Sequence, residues 1–410
     1  MAEFIVGGLT RERDFWFRKQ FVENLWASVT KHNILLIAPR RIGKTSVMYR
    51  MLDHPKKGWL VIHFNVEPLR TPEDFFITLM DAIREHQPDY LKETLARGWD
   101  YLKKVFGRVE RVEAFEFKIA LRKAENLQEN WTDRATELID RVIYSEEKVL
   151  FIIDELPDML SAMLTHSPGE WENFLHWFRK TRERCLRANV RWIVGGSVNL
   201  ITSLAQRGKV SLINDLKPEI LEPFNAYEVR EFAATMFKQN RVPFDETAVP
   251  RMLDLLGAPI PYFLQMLTQE LCRKWKQSRS GAITADTVNE VFTKVLLGEM
   301  ARDKLQHYRV RIDTHYPPEE RQAACLLLDR LSLTSDGIAR KTLFQLYRQV
   351  EDGKTAGRSG LALEEAFRHL LLYLQSDFYI EEVREGHYDF SSRLLKVWWK
   401  KYYGYECGGN

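Results

Sequence analysis

The sequence has few cysteines and no long apolar segment. Its 410 residues include four cysteines, which lie far apart at Cys185, Cys272, Cys325 and Cys407. That spacing favours neither a zinc site nor a disulfide framework, and it is typical of a protein from the reducing cytoplasm. No run of about 18 apolar residues is present that would cross a membrane. The apolar stretch at residues 4–6 is too short for the core of a signal peptide.

The sequence also lacks a strong net charge. Its 60 basic and 57 acidic residues leave a net charge of +3, which neither requires nor excludes a nucleic-acid partner. Apolar residues make up 45% of the chain and charged residues 29%, which indicates a folded soluble protein. Because 410 residues exceed what one hydrophobic core normally serves, we expect two or three domains.

One motif directly follows an apolar run at residues 34–37. It fits the phosphate-loop pattern G-x-x-x-x-G-K-[ST], except that alanine replaces the first glycine. Backbone N–H groups of such a loop, and the helix N-terminus behind it, bind the phosphates of a nucleotide. The residues expected to bind the nucleotide are Ala38, Pro39, Arg40, Arg41, Ile42, Gly43, Lys44, Thr45 and Ser46.

Several residues of this loop have individual expected roles. Lys44 would contact the β- and γ-phosphates, and the Thr45 hydroxyl would bind Mg²⁺. Gly43 permits a backbone conformation that a Cβ atom would hinder. Ala38 weakens the match to the pattern. Pro39 nevertheless favours an extended conformation for the residue before it, so we still expect the loop to form.

A second motif ends an apolar strand at residues 148–154. The run is rich in β-branched residues, which indicates a buried strand of a parallel sheet. Asp154 would hold Mg²⁺ through water, and Glu155 would activate the attacking water as a general base. Two acids alone could also simply mark the point where a strand passes into a loop. Asp154 follows Lys44 by 110 positions, and the two motifs together predict one shared metal and nucleotide site.

Strands alternate with helices up to Pro223, which predicts an α/β fold with a mostly parallel sheet. A helix is expected to begin after Thr71, another at 90–108, and an exposed strand at 112–119. The strands of the sheet are predicted at residues 33–38, 59–65, 148–154, 191–197 and 219–221.

After Pro223 the pattern becomes helical. Lid helices are predicted at 226–240, 246–256, 260–277 and 285–298, and a linker at 299–317. Helices at 318–331, 339–350 and 361–376, followed by a hairpin at 378–390 and a last helix at 391–403, have the order of a winged helix. The predicted domains are therefore 1–223, 224–300 and 315–405.

These residues resemble the AAA+ superfamily of ATPases, and within it the archaeal-type ATPases related to the STAND signalling NTPases. The resemblance covers most of residues 1–405. It implies an α/β P-loop NTPase sheet of the AAA+ type, an all-α lid and a winged-helix domain, with ATP or ADP and Mg²⁺ as ligands. It depends on Pro39-Arg40-Arg41 before Gly43-Lys44-Thr45, on Asp154-Glu155, on Gly257-Ala258-Pro259 with Tyr262-Phe263-Leu264, and on Tyr388-Asp389-Phe390 before a tryptophan-rich helix.

The resemblance implies further roles. Ser197 would be the polar sensor at the end of a strand, unless it only caps a turn. Arg207 would be an arginine finger that acts in a neighbouring subunit, with Lys209 as its rival and a solvated surface arginine as the alternative. Asn65 would either restrain the catalytic glutamate or form a turn. Residues 4–13 would line the adenine pocket.

The resemblance also concerns two arginines of the loop and one proline of the lid. Arg40 and Arg41 would help to bind phosphate, although for one of them we rather expect solvation or a pair with an acid. Pro259 stands where a second arginine sensor is usual, which argues against close kinship with replication initiators.

The expected function is a switch that binds and hydrolyses ATP. It couples its nucleotide state to conformational change, or to assembly as a homo-oligomer or with a partner protein, and no membrane is involved. The alternatives are a DNA-binding ATPase that loads or regulates a replication, transposition or repair complex, and a scaffold that barely hydrolyses. The hairpin acids Glu381, Glu382 and Glu385 favour protein docking over DNA. The basic residues at 179–187 are a candidate contact surface or a solvated face.

Overall fold

The computed structural model describes residues 18–39, 41–85, 127–145, 147–196, 199–354 and 358–404. Contacts divide the chain into two units. The sheet unit contains residues 18–37 and 44–220, and the C-terminal unit contains residues 38–43 and the chain from residue 221 onward. The predicted division into three domains stays a prediction. The predicted helix at 90–108 and strand at 112–119 lie outside the described residues.

Five parallel strands form the centre of the sheet unit. Their order is β2-β3-β4-β1-β5, so the strand that leads into the phosphate loop lies between β4 and β5. In β1 all five residues are buried, and in β3 six of seven are, which shows that both faces of these strands are covered. The strands are β1 (Asn33–Ile37), β2 (Trp59–Asn65), β3 (Lys148–Asp154), β4 (Val190–Gly196) and β5 (Leu216–Ile220).

Helices surround the described part of this sheet. Thr71 caps one of them as predicted, because its hydroxyl accepts a hydrogen bond from the Asp74 N–H at 3.2 Å. A short 3₁₀ helix at Val210–Ile213 precedes β5. The helices are α1 (Lys19–Val29), α2 (Lys44–Asp53), α3 (Pro72–Glu85), α4 (Leu127–Tyr144), α5 (Leu156–His166), α6 (Pro168–Arg187) and α7 (Asn199–Gln206).

The predicted strand at 219–221 was placed too late. β5 begins at Leu216 and pairs with β1 from Asn33 to Ile37. It is an edge strand that contains Lys217, Pro218 and Glu219, and only its first residue is fully buried. An edge strand has one solvent-facing side and needs no continuous apolar run, so the pattern that identified the inner strands is absent here.

Helices and a small antiparallel sheet form the C-terminal unit. Its lid contains α8 (Ala226–Gln239), α9 (Ala248–Leu256), α10 (Pro261–Ser278) and α11 (Ala285–Val291), and a π-helical turn at Phe292–Leu296 follows. α12 (Glu299–His315) comes next. The winged-helix segment contains α13 (Pro318–Leu333), β6 (Ile338–Ala339), α14 (Arg340–Asp352), α15 (Gly360–Ser376), β7 (Ile380–Arg384) and β8 (His387–Phe390), and α16 (Arg393–Tyr402) closes the described chain.

The linker predicted at 299–317 is wrong, because most of it is α12. The helix has low mean hydropathy, and its apolar stripe is narrow. Leu305, Tyr308 and Ile312 are buried at spacings of three and four residues. Three buried apolar residues among many charged ones give a weak periodic signal, although they suffice to pack one side of a helix.

Three arginines of the basic segment at 179–187 have acidic partners in the sheet unit. Arg182 is fully buried, and its Nε donates to Asp215 Oδ2 at 2.9 Å. Arg179 pairs with Glu183 at 2.9 Å, and Arg184 pairs with Asp140. Three of the arginines predicted to be a contact surface are therefore engaged within the sheet unit.

Two further observations concern membrane-spanning helices and cysteines. Across the described residues, no helix combines the length and apolar character that a membrane crossing requires. The described cysteines, Cys185, Cys272 and Cys325, are free thiols.

Asp215→Ala tests the buried pair. The substitution leaves the Arg182 guanidinium buried without its carboxylate, so we expect the free energy of unfolding to fall by about 3–5 kcal/mol. Glu183→Ala is the matched control on α6, because it removes the partner of the more exposed Arg179 and should cost less than about 1 kcal/mol. Urea unfolding of both variants measures the difference, and equal losses would contradict the assignment.

Candidate nucleotide site

The phosphate loop turns at two residues. Arg41 and Gly43 have left-handed backbones, with φ of +63° and +98°. Ala38, in the position of the missing glycine, has no positive φ, so a side chain there is unstrained. Ile42 is 1% exposed and anchors the loop by burying its side chain. The alanine that weakened the sequence pattern therefore does not obstruct the turn.

Asp154 and Glu155 lie where β3 leaves the sheet. Asp154 is the last residue of β3, is 2% exposed, and pairs in register with Asn65 at the end of β2. Glu155 has φ +60° and ψ +40°, and its N–H donates to Asp154 Oδ1 at 3.1 Å. A left-handed conformation costs a residue with a side chain about 1–2 kcal/mol, and such strain concentrates at functional sites.

Lys44 joins the two motifs within the sheet unit. Its Nζ lies 3.0 Å from Asp154 Oδ1 and 2.9 Å from Glu155 Oε1. The Thr45 hydroxyl donates to the other oxygen of Asp154, Oδ2, at 2.7 Å. The structure thus brings together four of the residues that the sequence nominated, and their roles toward a nucleotide stay predictions.

Burial and charge act in opposite directions on this cluster. Burial lowers the pKa of Lys44, but the attraction of the two carboxylates outweighs it and the pKa is raised. Burial would raise the pKa of Asp154, yet Lys44 and the Thr45 hydroxyl together lower it. At Glu155, burial raises the pKa, Lys44 opposes the rise, and Asp154 adds to it, so the net pKa is raised. Glu155 therefore holds a proton more readily than Asp154, which suits a general base.

Similarity searches by sequence and by structure give different results. No protein-family model matches the chain, and no curated protein matches its sequence. Among solved structures, a Walker-type ATPase of Pyrococcus abyssi is similar at a TM-score of 0.62 and 16% identity, over 96% of this chain and 99% of that one. The chain has the AAA+ P-loop ATPase fold. The predicted fold class and the AAA+ resemblance are confirmed.

Two Aeropyrum pernix structures are less similar to this chain. The Orc1 protein in complex with DNA has a TM-score of 0.42 and 14% identity, over 94% of this chain and 93% of that one. The Orc2 protein in its ADP form has a TM-score of 0.45 and 12% identity, over 96% and 95% of the two chains. The fold assignment depends on the Pyrococcus structure and not on these two.

Several predicted AAA+ site positions lie outside the described residues. They are Arg40, Ser197 and residues 4–13. Their predicted roles in phosphate binding, γ-phosphate sensing and adenine binding stay predictions.

Arg207 and Lys209 differ in their contacts. Arg207 is exposed after α7, and its guanidinium reaches back one turn to the Ser203 carbonyl at 3.0 Å. Lys209 pairs with Glu172 on α6. Among the described residues, Arg207 has no carboxylate partner, so it is the better placed of the two for an arginine finger.

Asn65 forms a turn in this structure. Its Oδ1 accepts a hydrogen bond from the Glu67 N–H at 2.8 Å. The Glu155 carboxylate is held by Lys44 instead, at 2.9 Å. Of the two roles considered for Asn65, the structure therefore shows the turn-forming one.

Arg41 has two partners that the sequence did not reveal, both in the C-terminal unit. Its guanidinium lies 4.0 Å from the centroid of the Tyr262 ring, and its Nε donates to His307 Nε2 at 3.0 Å. Tyr262 was noted only as part of the lid motif. His307 lies in the segment predicted to be a linker, and a lone histidine in a charged stretch carries no signal for such a contact.

Gly195 leaves room for the Asp154 carboxylate. It lies in β4, and a Cβ atom built there would be 2.3 Å from Met48 Cε and 3.0 Å from Asp154 Oδ1. Met48 belongs to α2, the helix that begins at Lys44. The absent side chain therefore lets the helix behind the loop and the acid at the end of β3 approach the same point.

Gly195→Ala tests this crowding. We expect it to lower the free energy of unfolding by about 1–3 kcal/mol, because Met48 and the Asp154 carboxylate must both move. Gly169→Ala on α6 is the matched control, since a Cβ atom there has no atom within 4 Å and the new alanine favours a helix. Thermal unfolding of the two variants measures the effect. A Gly195→Ala protein as stable as the control would show that the space is not needed.

Proposed function

We propose that this chain binds ATP with Mg²⁺ and hydrolyses it. The observation that supports the proposal is the contact of Lys44 with both acids of the second motif, at 3.0 Å and 2.9 Å. A buried ammonium beside two carboxylates, at the start of a helix and behind a tight loop, is what phosphoryl transfer requires for positioning and charge neutralisation.

The residues present fit a magnesium ion. The Thr45 hydroxyl oxygen and the Asp154 carboxylate lie 2.7 Å apart, and Mg²⁺ prefers oxygen ligands completed by water and phosphate. When bound, Mg²⁺ would neutralise charge on the phosphates of ATP. Thr45 would contribute a direct ligand, and Asp154 would act through water.

The hydrolytic step follows from the roles of the two remaining side chains. Lys44 would exchange its carboxylate partners for the phosphate oxygens of ATP, which carry more negative charge. Its departure leaves Glu155 less neutralised and therefore more basic. Glu155 would then take a proton from the water that attacks the γ-phosphorus atom in line with the leaving ADP oxygen.

Two substitutions separate binding from hydrolysis. Glu155→Gln should keep ATP binding and lower phosphate release by about 100-fold or more, because the base is lost while the cluster stays polar. Lys44→Ala should lose both, because it also leaves the buried Asp154 and the partly buried Glu155 without their cation. Lys148→Ala, at the exposed start of β3, is the control for losing a lysine. Phosphate release that is unchanged in Glu155→Gln or Lys44→Ala would refute the assignment.

We further propose that ATP controls assembly with another copy or with a partner protein. The exposure of Arg207 supports this, because an arginine finger must reach a neighbouring subunit. The exposed hairpin carries Glu381, Glu382 and Glu385, which repel a phosphate backbone. The pairing of Arg182 with Asp215 and of Arg184 with Asp140 weakens the alternative, a DNA-dependent ATPase.

Light scattering after size exclusion tests the switch. With the Glu155→Gln protein, ATP should increase the molar mass, and a duplex DNA should add nothing. Arg207→Ala in the same background should still bind ATP, but its molar mass should not increase, because the finger that contacts the neighbouring subunit is absent. A mass increase that requires DNA would support the alternative, and a mass that never changes would favour a monomeric scaffold.

A further inference from the structure

The side chain of Arg41 contacts two residues of the C-terminal unit, although its backbone belongs to the loop proposed to bind phosphate. Its backbone is left-handed, with φ +63°. Its guanidinium lies 4.0 Å from the Tyr262 ring centroid and bonds to His307 at 3.0 Å. The side chain therefore has satisfied partners on α10 and α12 while its backbone forms the turn of the loop.

α12 is tied to the winged-helix segment by two contacts next to His307. The Tyr308 carbonyl accepts a hydrogen bond from the Tyr379 hydroxyl at 2.5 Å. Less than one turn later, Arg311 Nε donates to Asp377 Oδ2 at 3.0 Å, and both of these side chains are buried. Asp377 and Tyr379 lie between α15 and β7. α12 is thus hydrogen-bonded next to His307 to the hairpin end of the winged-helix segment.

We propose that Arg41 reports the nucleotide state of the loop to α12, and through α12 to the winged-helix segment. The inference rests on the proposed function. Phosphate oxygens are charged acceptors that a guanidinium binds in a bidentate manner, more strongly than it binds a ring face or a neutral imidazole. ATP therefore draws Arg41 from Tyr262 and His307, and α12 loses a contact that only the nucleotide-free state contains.

Hydrogen–deuterium exchange of residues 303–315 tests this coupling in the Glu155→Gln protein, which should hold ATP intact. ATP should increase exchange in this segment by about threefold or more. His307→Ala in the same background should show the raised exchange without ATP and no further increase with it. ATP affinity, measured by calorimetry, should change by less than about threefold, because His307 does not contact phosphate.

Two control variants sharpen the test. His315→Ala truncates the same residue type at the C-terminal end of α12 and should keep the response to ATP. Tyr262→Phe keeps a ring face and should also keep it, whereas Tyr262→Leu should behave like His307→Ala. The leucine variant also provides a second measurement if His307→Ala does not fold.

The outcomes separate this inference from the function on which it rests. Normal ATP binding with an unaltered response in His307→Ala and Tyr262→Leu would overturn the role of Arg41 and leave the ATPase intact. Normal ATP binding by the Glu155→Gln protein, without an increase in exchange at residues 303–315, would also overturn the role of Arg41 and leave the ATPase intact. Absence of ATP binding by the Glu155→Gln protein would overturn the proposed function, and the inference with it.

Discussion

The buried ion pairs of Lys44 are the interaction on which the described site depends. An ammonium within 3.0 Å of two carboxylates permits Asp154 and Glu155 to be adjacent in a region that excludes most water. Without that cation, two neighbouring acids would repel each other and one would take up a proton. The left-handed backbone of Glu155 and the missing side chain at Gly195 are both compatible with a cluster that must be compact before any ligand arrives.

The sequence predicted the inner part of the sheet well because burial on both faces leaves a continuous apolar run. The predicted bounds of β3, an inner strand, agree with the structure. Those of β2 agree as well, although β2 lies at one edge of the described sheet, because five of its seven residues are apolar. β5, at the other edge, was misplaced because Lys217, Pro218 and Glu219 interrupt any apolar run. α12 was missed for a related reason, since a helix that packs one narrow stripe needs few apolar residues. Arg182 was misjudged because its sequence neighbours are charged, and only the fold shows that Asp215 lies beside it.

The residues of the candidate site also fall into those that could be predicted from the sequence and those that could not. Lys44, Thr45, Asp154 and Glu155 were accessible from the sequence because each belongs to a short motif with a physical requirement at that position. The partners of Arg41 were not accessible, because Tyr262 and His307 are separated from it by more than 200 residues and belong to no pattern that predicts the contact. A motif reflects the requirements of the ligand that it binds, whereas contacts such as these depend on how this particular chain folds.

The ordinary backbone of Ala38 has a consequence for how such loops are detected. The first glycine of the pattern is commonly treated as obligatory, yet here the left-handed torsions fall at Arg41 and Gly43. A side chain is therefore tolerated at the first position without conformational cost. Genome searches that insist on a glycine there will overlook proteins of this kind, and a criterion that weights the later glycine and the following lysine would recover them.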